Sequence, residues 1–138
     1  RMDKEHRQIT LAYFEQRSTV DYIGAVQGIP VCFDAKECCT DTFPLSNIHP
    51  HQISFMQKFE EQGGVAFFLL FFSRENLFYY LTLRRLLQFW DRMNAGGRKS
   101  FRREELDERF YLPRQTGFLV PYLEGLKTDL EAREEGEN

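Results

Sequence analysis

Apolar residues along the chain follow two different patterns, one typical of strands and one of helices. Residues 19–26 and 30–36 are two short extended runs that flank Gln27 and Gly28. The stretches VAFFLLFF at 65–72 and LFYYL at 77–81 are continuous apolar runs of strand length. The first of these predicts a central strand that is buried on both faces.

Helical spacing appears between and after these runs. A helix is predicted from Gln52 until Gly63 and Gly64 end it, and a second is predicted over 83–93. Residues 103–110 predict a short helix, Pro121 can begin a last one, 1–17 are weakly helical, and 38–51 have loop chemistry. This order predicts a single α/β or α+β domain with a mixed sheet flanked by helices. The apolar stripes of the three longer helices are Ile53, Met56 and Phe59; Leu83, Leu86, Leu87 and Trp90; and Leu123, Leu126 and Leu130.

Charged residues occur in the first two predicted strands, where a hairpin usually has apolar ones. With a two-residue turn at 27–28, positions whose numbers sum to 55 face each other, so Asp21 opposes Asp34 and Thr19 opposes Lys36. Because residues two apart in a strand share a face, these four side chains form one polar patch. The opposite face receives Val20, Tyr22, Phe33 and Ala35, a set that suits a core.

Two carboxylates directly opposite each other repel unless a positive charge lies between them. Carboxylate oxygens at this spacing suit Mg²⁺ or Mn²⁺, completed by waters and a substrate phosphate. Lys36 adds a positive charge to the same face and could hold an attacking water or neutralise charge on a phosphate. The alternative is a solvated Asp–Lys pair without a function, and a three-residue loop would shift the register and remove the argument.

Charge is distributed unevenly along the chain. The net charge is −3, but residues 124–138 hold six acids and two bases, which leaves 16 Lys+Arg and 15 Asp+Glu elsewhere. The stretch GGRKSFRR at 96–103 could bind a phosphate backbone or be a flexible basic loop. Its four candidate DNA-binding residues are Arg98, Lys99, Arg102 and Arg103.

Several functional classes find no support in the sequence. No apolar run reaches the ~18 residues of a membrane span, so no membrane partner is expected. Three cysteines are an odd number for a disulfide framework and fit a reducing cytoplasm. Nucleophile-elbow, P-loop and dinucleotide motifs do not occur. The spacing of Cys38, Cys39, His49 and His51 does not fit structural zinc.

Four stretches resemble the RecU family of Holliday junction resolvases, also described as penicillin-binding-protein-related factor A. They are AYFEQRSTVDYIG, FDAKE, FPLSNIHPHQI and FWDRMNAGGRKSFRREEL, and the resemblance covers residues 12 to 122. It implies a restriction-endonuclease-like core and a homodimer that cuts four-way DNA junctions by paired symmetric nicks with Mg²⁺. On this basis residues 1–138 form one nuclease domain, with 1–17 a remnant of a stalk or N-terminal region and 124–138 an acidic tail without an assigned role.

The resemblance also implies roles for individual residues. Asp21 matches the first metal-binding aspartate, and Asp34 occupies an acidic position that is commonly Glu in the family. Lys36 matches the catalytic lysine, whereas Thr19 and Gln52 match two further positions of the metal site.

Other functions stay open at the level of sequence. Family members are longer at the N-terminus, where they have a further acidic residue and a stalk that enters the junction. A junction-binding protein that does not cut, a nuclease of the same core that acts on duplex DNA, and a scaffold without a site are the alternatives. The sequence assigns no recombinase partner.

Overall fold

A computed structural model describes residues 20–112 and 122–136. Thr19, the weak helix expected over 1–17 and the expected helix start at Pro121 therefore lie outside the described residues. The strands are β1 (Tyr22–Val26), β2 (Ile29–Cys38), β3 (Thr42–Pro44), β4 (Val65–Phe72), β5 (Leu77–Thr82), β6 (Ser100–Arg102) and β7 (Tyr111–Leu112). The α-helices are α1 (Pro50–Glu61), α2 (Leu83–Asn94) and α3 (Tyr122–Glu134).

The main sheet has five strands in the order β1-β2-β4-β5-β7. β2 and β4 are parallel, while the other neighbouring pairs are antiparallel. β4 lies in the middle, and every residue in it except Phe71 is buried. The predicted mixed sheet flanked by helices, with an apolar central strand, is confirmed.

The hairpin of β1 and β2 has the register that the sequence predicts. Tyr22 pairs with Phe33, and Val26 pairs with Ile29. The turn residues Gln27 and Gly28 have φ angles of 51° and 83°. Two positive φ angles define a type I′ turn, whose twist matches that of the strands it joins. Asp21 and Asp34 therefore come opposite each other at the open end of the hairpin.

The prediction of which hairpin face packs in the core is only partly right. Val20 is buried, and the Phe33 ring is stacked between Tyr22 and Phe67 at 5.0 Å from each ring centre. Ala35, however, is exposed, and Tyr22 is 37% exposed. The more buried face of β2 is the one that bears Asp34, because helix α1 approaches that face.

The predicted loop at 38–51 contains structure that the sequence did not reveal. β3 lies within it and pairs with β6 in a separate two-stranded sheet, where the rings of Phe43 and Phe101 stack at 5.1 Å. Helix α1 begins at Pro50, two residues before the predicted start. The short helix predicted at 103–110 is instead two 3₁₀ turns, at Arg103–Glu105 and Glu108–Phe110.

Helix α3 contains most of the predicted acidic tail and packs against β5 and β7. Leu126, Asp129 and Ala132 are buried along its inner side. The approach is close at Gly125, where an added Cβ would lie 2.5 Å from the Tyr80 ring. None of the described helices has both the length and the apolar character needed to cross a membrane.

Candidate active site

The two opposed aspartates hold each other in place through backbone hydrogen bonds. The amide of Asp21 donates to Asp34 Oδ1 at 3.0 Å, and the amide of Ala35 donates to Asp21 Oδ2 at 2.9 Å. Each carboxylate therefore satisfies a backbone donor on the other strand, beyond the last ladder pair of the hairpin. The predicted closeness of the two side chains is confirmed by these contacts.

The second oxygen of Asp34 has two further donors. Lys36 Nζ lies 3.0 Å from Asp34 Oδ2, and Gln52 Nε2 donates to the same oxygen at 3.0 Å. Asp34 is 5% exposed, and the Lys36 side chain is 16% exposed. A carboxylate this buried needs both a counter-charge and hydrogen bonds, and the structure supplies both.

Gln52 links the start of helix α1 to the sheet. It is the third residue of the helix, after the N-cap His49 and Pro50 at the first helical position. Its Oε1 accepts from the amide of His49 at 3.3 Å while its Nε2 donates to Asp34. A glutamine at this position commonly bonds back to the N-cap amide, and proline suits the first helical position. The sequence HPHQ thus fixes the helix start and the amide that faces Asp34.

The donor set fits a small divalent cation held mainly by two carboxylates. Asp21 is exposed, and its Oδ1 accepts no hydrogen bond from the residues that the structure describes. Mg²⁺ commonly binds through one or two carboxylates and otherwise keeps waters or substrate phosphates. Within residues 20–112 and 122–136, no group of three or more His, Cys, Asp or Glu is placed to hold a metal ion. Thr19, the further predicted ligand, lies outside the described residues.

The predicted DNA-binding residues divide into two pairs with different surroundings. Arg98 and Lys99 lie in the exposed loop between α2 and β6 and form no ion pair with a described residue. The loop is anchored, because the carbonyl of Lys99 accepts from the amide of Leu45 at 2.9 Å. Its bend uses Gly96, which has a φ of 95°. Both cations are thus exposed on a fixed backbone.

Arg102 and Arg103 are paired with acids. Arg102 lies 3.4 Å from Glu104, and Arg103 lies 3.4 Å from Glu75. The amide of Arg103 also donates to the carbonyl of Asp41 at 2.8 Å. Part of their charge is therefore neutralised within the protein.

Arg92, in helix α2 just before the basic stretch at 96–103, forms its hydrogen bonds inside the protein. It donates to Glu105 Oε1 at 2.8 Å and to the carbonyl of Ser100 at 2.9 Å. The hydrogen bond from Arg92 is the main cause that lowers the pKa of Glu105, and burial opposes it. This contact ties helix α2 to the turn after β6. The sequence offers no signal for it, since the partners are 13 positions apart.

Comparisons with known proteins show to which family the chain belongs. The model of the family Recombination protein U (RecU) matches residues 1–128. Two relatives are described as Holliday junction resolvase RecU: that of Pediococcus pentosaceus is 42% identical over 126 residues, and that of Limosilactobacillus reuteri is 38% identical over 124. These alignments cover 90% and 88% of this chain.

A further relative with the same description, from Bacillus cereus, is 44% identical over 98 residues, or 70% of this chain. The chain spans 63%, 61% and 49% of the Pediococcus, Limosilactobacillus and Bacillus proteins. The class defined by fold and site is thus a mixed α/β protein with a paired-carboxylate and lysine site on its sheet. The chain belongs to the RecU family.

Proposed function

We propose that this chain contains the catalytic site of a Mg²⁺-dependent endonuclease that resolves four-way DNA junctions. The observation that carries the proposal is the buried Asp34, held by Lys36 and Gln52 directly opposite Asp21. Membership of the RecU family supports the substrate, because the relatives are described as Holliday junction resolvases. The chain spans less than two thirds of the length of those relatives.

Asp21 and Asp34 would hold the ion, with Thr19 and Gln52 as further metal-site residues. A bound divalent ion supplies an activated water at neutral pH and offsets charge on the scissile phosphate. Gln52 keeps Asp34 in one orientation through its Nε2 donor. Lys36 is the group on the same strand that steadies the water or the developing phosphate charge.

The position of Lys36 supports this division of roles. Its ammonium lies 3.0 Å from Asp34 Oδ2, one of the carboxylate oxygens that could hold a divalent ion. An ion held through that oxygen would compete with the ammonium, and Lys36 would then be free to interact with the phosphate. Mn²⁺ is expected to substitute for Mg²⁺ because it accepts the same oxygen ligands.

Other features of the proposal follow from the family. The core would be of the restriction-endonuclease-like kind, and a homodimer would place two sites for the two nicks. The odd number of three cysteines favours a protein of the reducing cytoplasm.

The first prediction tests the site with Asp34→Asn, which keeps the shape of the side chain and removes its charge. We expect cleavage of a labelled four-way junction in Mg²⁺ to fall by more than about 100-fold, since even the outer partners of metal ligands cost about 10- to 100-fold. Asp91→Asn is the matched control, because Asp91 lies exposed on helix α2.

A comparison of junction and duplex DNA as substrates distinguishes the alternative functions. Cleavage of the junction but not of plain duplex supports a resolvase, whereas equal cleavage supports a duplex nuclease of the same core. Binding of the junction without cleavage in Mg²⁺ or Mn²⁺ supports a binding protein. Undiminished cleavage by Asp34→Asn overturns the assignment of the site.

A further inference from the structure

A buried polar network joins helix α3 to the two elements that flank it. Asp129 is fully buried, and its Oδ2 accepts from the Tyr80 hydroxyl at 2.6 Å. Its Oδ1 accepts from Arg133 Nε at 2.9 Å. Arg133 Nη2 in turn donates to Glu60 Oε2 at 2.7 Å, across 73 positions of sequence. The network thus connects β5, α3 and the last turn of helix α1.

In this network one cation, Arg133, lies between two carboxylates, and the side chains of Arg133 and Glu60 are 26% and 22% exposed. Burial, together with the adjacent Asp129 carboxylate, raises the pKa of Tyr80, so its hydroxyl stays protonated and donates. Burial alone would lower the pKa of Arg133, but its hydrogen bonds to Asp129 and Glu60 outweigh burial and raise it. Arg133 therefore stays charged and bridges two carboxylates from different helices.

Glu60 is fixed from a second side as well. Its Oε2 accepts from the amide of Ala66 at 2.9 Å, at the start of the central strand β4. Helix α1 is consequently tied to the sheet at both ends, by Gln52 in its first turn and by Glu60 in its last. Eight residues separate these two contacts, a distance of about 12 Å along the helix axis.

We propose that Arg133 is a positioning residue for the candidate active site. Through Glu60 it holds helix α1 at the axial position from which Gln52 reaches Asp34. Because a side-chain contact at about 3.6 Å no longer counts as a hydrogen bond, a helix shift that carries Gln52 about 1 Å away from Asp34 removes their 3.0 Å contact. Any effect of Arg133 on cleavage rests on the proposed function, whereas its effect on the contact between Gln52 and Asp34 does not.

The variant Arg133→Met removes the bridge and keeps most of the side-chain volume, and Arg133→Lys keeps the charge. Lys127→Met is the control, because Lys127 is exposed on the same helix and its loss changes the net charge equally. The first readout is the Gln52 side-chain amide resonance in an ¹⁵N-labelled chain, assigned by its absence in Gln52→Ala. We expect that resonance to move toward its unfolded-chain position in Arg133→Met, to move less in Arg133→Lys, and to stay in Lys127→Met.

The second readout is the Mn²⁺ concentration that gives half of the maximal rise in melting temperature. We expect it to increase about three- to tenfold in Arg133→Met, because Asp34 loses one of the donors that fix its orientation. An unmoved Gln52 resonance in folded Arg133→Met or Arg133→Lys overturns the positioning role, even if the melting temperature falls. A parent chain without any Mn²⁺ effect contradicts the proposed function instead, while the Gln52 resonance still decides the positioning role.

Discussion

Asp21 and Asp34 carry the same charge at paired positions but have different surroundings. Asp34 is buried beside Lys36 and Gln52, whereas Asp21 is exposed and bonds to one backbone amide. Their pairing could be predicted from the sequence because it depends on a two-residue turn only a few positions away. The burial of Asp34 could not, because it depends on where helix α1 lies in three dimensions.

The second prediction separates the two roles of Lys36. In Lys36→Met we expect junction cleavage to fall while Mn²⁺ binds about three- to tenfold more tightly. A unit charge at about 4 Å is worth up to several kcal/mol at an effective dielectric near 20, and solvent access reduces that figure. Calorimetric titration of Mn²⁺ measures the affinity, and Lys58→Met, an exposed change in helix α1, is the control. Weaker binding in Lys36→Met would mean that the ion does not share Asp34 Oδ2 with the ammonium.

At the scale of elements, the structures that sequence predicts well are those with local signals. β4 is a continuous apolar run, and the hairpin has its turn residues between two extended runs. β3 and β6 have three residues each, too few to show a period, and they pair across 56 positions or more. The 3₁₀ turns at 103–110 have the composition of a helix but break at Leu106 and Asp107.

The apolar pattern of helix α2 predicts the period of its buried face correctly but leaves out one buried residue. Leu83 and Leu86 are buried as expected, whereas Trp90 is half-buried. Phe89 is the buried residue that the leucine pattern missed, and its ring stacks on Phe101 at 4.4 Å. The apolar face of this helix packs against the two-stranded sheet through Phe89 and Phe101, and the sequence did not indicate that this sheet exists.

The third prediction concerns the link between helix α2 and the turn after β6. The hydrogen bond from Arg92 lowers the pKa of Glu105 below its usual value of 4.5, so the folded state binds this proton less readily than the unfolded chain does. The contact therefore stabilises the protein above about pH 4.5 and is lost as the pH falls below that value. Both side chains are partly exposed, so we expect Glu105→Gln to cost about 0.5–1 kcal/mol at neutral pH.

Urea unfolding at a series of pH values measures this effect. The difference in unfolding free energy between the parent and Glu105→Gln should shrink as the pH falls from 4.5 toward 3. Glu104→Gln is the matched control, since the Glu104 side chain is 74% exposed and its pair with Arg102 is long at 3.4 Å. A difference that is constant with pH would contradict an ionic contribution from Glu105.

At the scale of the whole molecule, the net charge does not show which charged residues have partners inside the protein. The net charge of −3 reflects an acid-rich C-terminal segment, and the structure packs most of that segment into helix α3. In this helix Asp129 accepts a hydrogen bond from Tyr80 and Arg133 donates one to Glu60, so these residues do not form a solvated tail. Sequence patterns could not identify this use, because the partners Tyr80 and Glu60 lie 49 and 73 positions away.

Whether a cationic side chain has a close acidic partner also decides how available it is to DNA. Arg92 and Arg103 form close ion pairs with Glu105 and Glu75, whereas Arg98 and Lys99 extend from an anchored loop and form no close ion pair with a described residue. Arg98 is near enough to Glu105 to help lower the pKa of that carboxyl, but less than Arg92 does. An ion pair must be broken before its cation can neutralise a phosphate, so the paired arginines contribute less to binding. Arg98 and Lys99 are therefore expected to supply the larger share of the electrostatic affinity of this region.

The fourth prediction measures that share through its dependence on salt. Each phosphate contact contributes about 0.9 to the slope of log affinity against log salt for duplex DNA. The double variant Arg98→Ala/Lys99→Ala should therefore weaken junction binding and reduce the slope by up to about 2, while Arg102→Ala alone should reduce it by less than about 1. Binding is measured in Ca²⁺ across a salt series, and Lys58→Ala/Lys127→Ala removes the same charge from two exposed helix positions as the control. If the control and the loop variant change the slope equally, the loop does not contact DNA more than other exposed cations do. The change in slope would then be due to net charge alone.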